Sequence, residues 1–214
     1  MAKNINRFTD DLFFTWVVDP TVIFGRHQVM ENEVNLPYCK EHGIAVVRRK
    51  SGGGCVYADR GNLMLSAISR QPSAVSFQQF LNRMAEVLRG LGLDAVKTEH
   101  NDILVGGRKV SGNACYQLSD DSGMPVSVVH GTLLYDVDFE ALQQAITPTE
   151  EKLKKHGVES VRQRVSNIKP LLKNSSQITD IQSLAQYLTD KICTDSITLA
   201  ETDIENICLL KTLS

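Results

Sequence analysis

Three consecutive glycines between two strand-like runs constrain this chain more than any other feature of its sequence. They end the segment Arg48-Arg49-Lys50-Ser51-Gly52-Gly53-Gly54, which separates the runs 44–47 and 55–69. A glycine triplet weakens an ordinary strand because each glycine loses much backbone entropy on folding. It suits a loop whose bare N–H groups line an anion site, with arginines nearby to bind a phosphate or carboxylate. A plain glycine-rich turn beside a solvated basic patch also explains the segment.

Composition and charge place the chain among ordinary globular proteins. It has 214 residues, 42% hydrophobic and 22% charged, which suffices for one sizeable core. The net charge of −2 argues against a general nucleic-acid binder, because phosphate contact usually requires a basic surplus. With no signal segment and no long apolar run, we expect a cytoplasmic protein that does not enter membranes. Its five scattered cysteines fit reduced thiols better than disulfides or a zinc site.

The hydrophobic pattern predicts an α+β fold with a mixed, mainly antiparallel β-sheet and flanking helices. Strands are expected at 12–16, 21–24, 44–49, within 55–69, at 126–134, and as a hairpin around Gly106-Gly107. A long helix is predicted over 76–92, where apolar side chains recur at three- and four-residue steps and Ser76 can cap the start. Shorter helices are expected within 29–42 and at 139–146, 150–156, 180–193 and 201–211.

Polar side chains in three further segments can carry chemistry, and each also has a simpler interpretation. Lys109 can project into the same cavity as the glycine loop and offset negative charge, although a strand lysine is usually just exposed. Asp102 can bind Mg²⁺ together with phosphate oxygens, although Asn-Asp is also a turn signal. His130 lies in an apolar strand beside a glycine that permits close approach of a ligand, or it is a core histidine. Arg162 and Arg164 form a basic pair that can face one side of an extended segment, although such pairs are usually just exposed to solvent.

Taken in order along the chain, these segments resemble the biotin/lipoate protein ligase family, and within it the lipoate–protein ligase A branch. The matching segments begin with 20–28, 33–35, 48–54 and 59–63, and continue with 101–102, 109–112, 130–134 and 155–167. They span roughly residues 12–170. Each segment alone is a weak signal, whereas their joint order and spacing are very specific.

The resemblance implies a class II aminoacyl-tRNA synthetase/biotin ligase-like fold and a two-step reaction. Lipoate and MgATP would give lipoyl-AMP and pyrophosphate. The acyl group would then pass to a lysine of a lipoyl-carrier domain, such as the glycine-cleavage H protein or an E2 subunit. No protein nucleophile is required, because the mixed anhydride is already activated.

The resemblance also assigns a site. Lys109 is expected to be catalytic, contacting both the lipoyl carboxyl group and the phosphate, and Asp102 is the candidate Mg²⁺ ligand. The residues expected along ATP or lipoyl-AMP are Arg49, Ser51, Gly52, Gly53, Gly54, Cys55, Val56, Tyr57, Asn101, Lys109, His130, Gly131 and Thr132. The apolar tail of the substrate needs a slot, which the strands around Val22–Phe24 and Leu63–Leu65 can supply.

The chain departs from the family pattern in several places. The glycine motif continues to Ala58-Asp59 where His-Asp is usual, and Val29 stands where Asn is usual. Residues 1–170 correspond to the catalytic domain with a shortened first helix, and 171–214 to a helical extension. A separate accessory domain is expected to be absent, which would leave a protein that needs a second subunit or uses only preformed lipoyl-AMP.

Two other functions remain open from the sequence. An octanoyl- or lipoyl-transferase of the same fold would use a cysteine nucleophile. The expected region, 96–102, contains none, and nearby Cys115 is interpreted as a small apolar strand residue. A non-catalytic module that binds acylated partners is favoured by Ala58 and by the missing accessory domain. It is opposed by the joint presence of Arg49, the glycine triplet, Asp102 and Lys109.

Overall fold

Two β-sheets packed with helices make up the protein. The computed structural model describes Ile5, Phe8 and residues 10–146, 164–173 and 177–203. The predicted helix at 150–156, Arg162, and the predicted helix 201–211 beyond residue 203 lie outside the described residues.

The larger sheet has six strands in the order β1-β5-β9-β8-β7-β6, and all neighbours in it are antiparallel. Its strands are β1 (Leu12–Trp16), β5 (Asn62–Ser69), β6 (Ala95–Lys97), β7 (Asp102–Val105), β8 (Arg108–Ser119) and β9 (Pro125–Leu134). The smaller sheet has the order β3-β2-β4, with β2 (Thr21–Phe24), β3 (Ala45–Arg48) and β4 (Val56–Ala58). Strand β2 is parallel to β3 and antiparallel to β4. The predicted α+β fold with a mixed, mainly antiparallel arrangement is confirmed.

Besides a 3₁₀ helix at Lys169–Leu171, five α-helices lie wholly within the described residues and connect or cover these strands. They are α1 (Met30–Glu33), α2 (Leu36–Glu41), α3 (Ser73–Gly90), α4 (Phe139–Ala145) and α5 (Ile181–Ile192). The long helix was predicted, but the capping role of Ser76 is wrong. Pro72 occupies the N-cap without a side-chain capping bond, and the Ser76 hydroxyl donates to the Gln71 carbonyl oxygen at 3.3 Å. None of the described helices has both the length and the apolar composition needed to cross a membrane.

The main core lies between one face of the larger sheet and helices α3 and α5. Leu63, Leu65 and Leu133 project from the sheet onto Leu81 of α3 and Leu184 of α5, and all five are fully buried. A second core lies between the smaller sheet and α4. Because side chains alternate along a strand, the other face of the larger sheet carries a different set of residues. That second face forms the candidate site.

Candidate active site

Three rows of side chains in register form one wall of a cavity of about 680 Å³. Across β1, β5, β9 and β8 the rows are Trp16-Met64-Thr132-Gly112, Phe14-Ser66-His130-Ala114 and Leu12-Ile68-Val128-Tyr116. Every member except Leu12 lines the cavity. Successive rows are about 7 Å apart, since each is two residues further along an antiparallel strand. The row Leu12-Ile68-Val128-Tyr116 is built from large side chains, whereas each of the other two rows combines large apolar side chains with small or polar ones.

The loop between β3 and β4 lies across the cavity from this wall and is held by one arginine. Arg49 donates to the Ser51 hydroxyl (3.0 Å), the Gly52 carbonyl (2.8 Å) and the Ile23 carbonyl (3.0 Å). Gly53 has φ +95°, which a residue with a side chain adopts only with strain. Burial lowers the pKa of the Arg49 guanidinium, which nonetheless stays charged. Arg49 thus shapes the loop and also lines the cavity.

Arg48 has a different role from the one that its place beside the glycines suggested. Its guanidinium stacks over the Phe24 ring at 4.3 Å and donates to the carbonyls of Arg26 (2.9 Å) and Gln28 (2.8 Å). It therefore fixes the turn after β2 and is not among the residues that line the cavity. Of the two arginines before the glycines, Arg49 is the one whose side chain faces the site.

His130 is tied to the glycine loop through Ser51. The His130 Nε2 and Ser51 Oγ atoms are 2.6 Å apart, and Ser51 Oγ also accepts from Arg49 Nε at 3.0 Å. Because Ser51 is buried, its own proton needs an acceptor, and His130 Nε2 is the one within reach. This assigns the ring proton of His130 to Nδ1. Burial, and secondarily the Arg49 charge, lower the pKa of His130 to about 4, so the ring is neutral at pH 7.

Acidification is expected to destabilise the fold through His130. Its pKa falls from 6.5 to about 4 on folding, so the unfolded chain takes up the proton first as the pH drops. The stabilisation is complete above about pH 6.5 and is lost between pH 6.5 and 4, amounting to about 3 kcal/mol. Urea unfolding of wild type and His130→Gln at pH 7 and pH 4 measures this difference. Identical pH dependence in the two proteins would contradict it.

Lys109 reaches the cavity because of a β-bulge. Ile103 of β7 pairs with Ser111, but the next residue, Leu104, pairs with Lys109, so Val110 is an extra residue in β8. Strict alternation would put Lys109 on the core side with Ser111, and the bulge returns it to the side of the cavity. Val110 itself is fully buried in the main core. The Lys109 backbone is anchored as well, since its carbonyl accepts from the Ser166 N–H at 2.9 Å.

Asp102 lies beside Lys109 at the polar end of the cavity. The Lys109 Nζ and Asp102 Oδ1 atoms are 2.7 Å apart, and the two side chains are 33% and 30% exposed. Asn101 also lines the cavity, and its side-chain amide donates to the Asn113 carbonyl at 2.9 Å. Within the described ranges, no group of three His, Cys, Asp or Glu side chains could hold a metal ion. A Mg²⁺ ion at Asp102 would therefore depend on oxygens from a bound nucleotide.

The structure thus brings most of the predicted site residues around one cavity. Those that line it are Arg49, Gly53, Gly54, Cys55, Val56, Asn101, Lys109, His130 and Thr132. Ser51 and Gly52 do not line the cavity themselves, but both accept hydrogen bonds from the lining residue Arg49.

Two predicted site residues point elsewhere. The Tyr57 side chain is buried in the second core, and burial raises the pKa of its hydroxyl to about 12. A Cβ on Gly131 would lie 2.0 Å from Asn113 Oδ1, so this glycine makes room for the Asn113 side chain. Alternation explains both results, because each is one residue away from a residue that does line the cavity.

Each of the two strand segments predicted to supply the apolar slot contributes one residue to the cavity. Val22, Phe24, Leu63 and Leu65 are buried in the two cores, and only the middle residues of these segments, Ile23 and Met64, line the cavity. Further lining residues were not among the predicted site residues, and these are Phe14, Trp16, Lys50, Ser66, Ile68, Gly112, Asn113, Ala114, Tyr116 and Val128. Ala58, the departure from the family motif, is fully buried against Ile23 and Met64 and supports this wall.

Cys115 lies on the opposite side of its strand from the cavity. It packs against the main core, and burial raises the pKa of its thiol. Because a nucleophile must face the substrate, this position agrees with the interpretation of Cys115 as a structural residue.

Comparison with known proteins identifies relatives of the chain. The family model of the lipoyl protein ligase A/B catalytic domain matches residues 1–192. Lipoate–protein ligase 1 of Staphylococcus aureus is 35% identical over 201 residues, covering 92% of this chain and 60% of the relative. The chain spans about half the length of the curated relatives it matches.

Solved structures of lipoate protein ligases are also similar to this chain. A bi-partite lipoate protein ligase from Thermoplasma acidophilum, described with its E2 lipoyl domain, aligns with 95% of this chain and 81% of its own length. The TM-score is 0.76 and the sequence identity is 27%. A lipoate-protein ligase A bound with ATP aligns with 95% of this chain and 84% of its own, with TM-score 0.75 and 26% identity.

Proposed function

Because the chain belongs to the lipoyl protein ligase A/B catalytic domain family, we propose that it acts as a lipoate–protein ligase. It forms lipoyl-AMP and pyrophosphate from lipoate and ATP, and it transfers the lipoyl group to a lysine of a carrier domain. One observation supports this most directly. Lys109 and the glycine loop held by Arg49 share a cavity whose remaining walls are largely apolar. That combination suits an acyl chain whose reactive end is an anion.

The first step brings two anions together, the lipoate carboxylate and the α-phosphate. Fixed cations and backbone N–H donors offset their repulsion and the charge that develops in the transition state. Lys109 supplies the cation, and Gly53 and Gly54 supply backbone that no Cβ shields. Arg49 adds positive charge while it keeps the loop in place. Asp102 carries the oxygen donor that Mg²⁺ prefers, so this side chain and the phosphates would hold the ion that neutralises ATP.

The acyl tail has a slot of suitable character along the three rows. Ser66 and Ala114 are small and leave room above the sheet for the tail, while Phe14 and Ile68 supply apolar contact. The dithiolane ring of lipoate is apolar, so its transfer from water into the slot lowers the free energy. The carboxyl end then lies near Lys109, where the reaction takes place.

In the second step the carrier lysine attacks the acyl carbon, and AMP leaves. The tetrahedral centre carries an oxyanion, which Lys109 and the loop amides can stabilise. The acceptors we propose are the lipoyl domains of E2 subunits and the glycine-cleavage H protein. No disulfide joins the described cysteines, which fits a reducing compartment such as the cytoplasm.

The test is an assay of carrier mass. The protein is incubated with lipoate, MgATP and an apo lipoyl domain, and we expect the carrier to gain one lipoyl group only when ATP is present. Matched reactions replace lipoate and ATP with an octanoyl-carrier donor, or with preformed lipoyl-AMP. Transfer from the octanoyl donor without ATP would identify a transferase instead. Binding of lipoate with no transfer in any arm would identify a non-catalytic module.

A further inference from the structure

We propose that Asp102 is a positioning residue for Lys109, and that Gly112 is the place in the wall that makes their contact possible. This inference rests on the proposed function. It differs from the assignment of Asp102 to Mg²⁺, because here the carboxylate acts on a side chain of the protein itself. The contacts around Lys109 carry the argument.

Three residues meet at the polar end of the cavity. Asp102 of β7 and Gly112 of β8 are partners across the two strands, and the bulge brings Lys109 to the same side. The Lys109 ammonium then lies 2.7 Å from Asp102 Oδ1. The pair is about two-thirds buried, so water screens it less than it would screen an exposed pair.

Gly112 is needed for space. A Cβ at this position would lie 2.7 Å from Lys109 Nζ and 2.8 Å from Lys109 Cε. The lysine side chain therefore crosses directly over the bare backbone of Gly112 to reach Asp102. Gly112 is not among the glycines with positive φ, so the backbone conformation does not explain why glycine stands here. The path of the Lys109 side chain explains why position 112 is a glycine.

A lysine side chain needs a carboxylate partner if its ammonium group is to stay at one place in the site. Its ammonium sits on a flexible four-carbon stem, which samples many rotamers when nothing holds the head group. The bulge and the Ser166 contact fix the Lys109 backbone, but they do not fix the side chain. Asp102 supplies the missing restraint and aims the ammonium at the end of the cavity where the acyl-phosphate forms.

The positioning role and the metal role affect different half-reactions. A Mg²⁺ ligand matters while ATP is bound and becomes irrelevant when preformed lipoyl-AMP is supplied. A residue that positions Lys109 matters in both steps, because the oxyanion of the transfer step depends on the same ammonium. Transfer from lipoyl-AMP in the presence of EDTA therefore separates the two roles.

The experiment measures that metal-free transfer for Asp102→Asn and Asp102→Ala. We expect kcat to fall about 10-fold and about 100-fold respectively, as for a misplaced catalytic group, with little change in KM for the carrier. Gly112→Ala is expected to lower kcat as well, by pushing the lysine aside. Wild-type rates in the Asp102 variants would overturn the proposal, and Mg²⁺ binding would remain as the role of this carboxylate. A wild-type rate in Gly112→Ala would overturn the role of the glycine.

Asp136→Asn is the matched control. Asp136 pairs with Lys169, but both side chains are about half exposed and neither lines the cavity. This variant loses the same charge from an ion pair and should keep metal-free transfer within about twofold, since exposed pairs contribute little. If kcat falls equally in Asp136→Asn, the effect comes from the lost negative charge or from lower protein stability, and the proposal is overturned.

A second readout does not depend on activity. In nitrogen-15 spectra of lysine ammonium groups recorded on the protein without ligand, the Lys109 signal, assigned through Lys109→Arg, should be protected from exchange. It should disappear in Asp102→Asn and persist in Asp136→Asn. If the wild type transfers no lipoyl group yet shows this pattern, the proposed function fails while the positioning role stands. A Lys109 signal that is unaffected by Asp102→Asn would overturn the positioning role whatever the activity.

Discussion

Replacing Lys109 by alanine is expected to lower ATP-dependent lipoyl transfer by about 10²- to 10³-fold, the usual cost of removing a donor that stabilises transition-state charge. The loss should appear both with lipoate plus MgATP and with preformed lipoyl-AMP, because both steps place negative charge at the same end of the cavity. Initial rates of carrier modification, followed by mass, measure both reactions. Folding should be little affected, since Lys109 is one-third exposed and buries no apolar group in either core.

Lys169→Ala is the control for this prediction. Lys169 also forms an ion pair with a carboxylate, that of Asp136, but it is half exposed and lies outside the cavity. Its removal is expected to leave both rates within about twofold. A Lys109→Ala protein that transfers lipoate at the wild-type rate would show that the Lys109 ammonium is not used in the reaction, and the proposed function would then lose its main support.

Replacing Gly25 by alanine is expected to displace the glycine loop and to lower activity by about 10²-fold. An added Cβ would lie 1.9 Å from the Gly53 carbonyl oxygen and 2.9 Å from the Gly53 carbonyl carbon. Both are backbone atoms, so no side-chain rotation relieves the clash. The start of the loop is also fixed to the end of β2 and the turn after it, because the Arg26 N–H donates to the Ser51 carbonyl and the Arg49 N–H donates to the Phe24 carbonyl. Overpacking of this kind costs about 1–3 kcal/mol of stability.

Urea unfolding and the ATP-dependent transfer assay together measure the effect of Gly25→Ala. The stability control is Gly52→Ala, because a Cβ on Gly52 meets nothing within 4 Å and its φ is not positive. Gly52→Ala should change the free energy of unfolding by less than about 0.5 kcal/mol. If Gly25→Ala unfolds and reacts like the wild type, the close packing of Gly25 on Gly53 is incorrect.

The parts of the fold that depend on local pattern were predictable from the sequence. The amphipathic spacing of α3, the β-rich run of β2 and the Gly-Gly turn before β8 each involve neighbours along the chain. The resemblance to the lipoate–protein ligase family, which the order of the motifs carries, predicted that the glycine loop and Lys109 belong to one site. These features need no knowledge of which strands pair.

The composition of the cavity wall depends on strand register, which the sequence does not show. Strand β5 carries large apolar residues on both faces, so the apolar run alone does not say that Met64 faces the cavity while Leu63 and Leu65 face the core. The bulge at Val110 changes the alternation of β8 at one point and becomes visible only when β7 lies beside it. Arg48 and Arg49 are adjacent in sequence, yet Arg48 donates to the Arg26 carbonyl and Arg49 donates to the Ile23 carbonyl. Long-range pairing decides all three cases.

The contacts of Arg49 also have a kinetic consequence. They hold the loop through groups of the protein itself, because Arg49 donates to the Ser51 hydroxyl and to the Gly52 carbonyl. Binding to such a preorganised loop avoids the ordering cost that flexible sites incur. Nucleotide association should accordingly proceed in a single fast phase whose rate rises linearly with concentration, without the plateau that a slow loop rearrangement would impose.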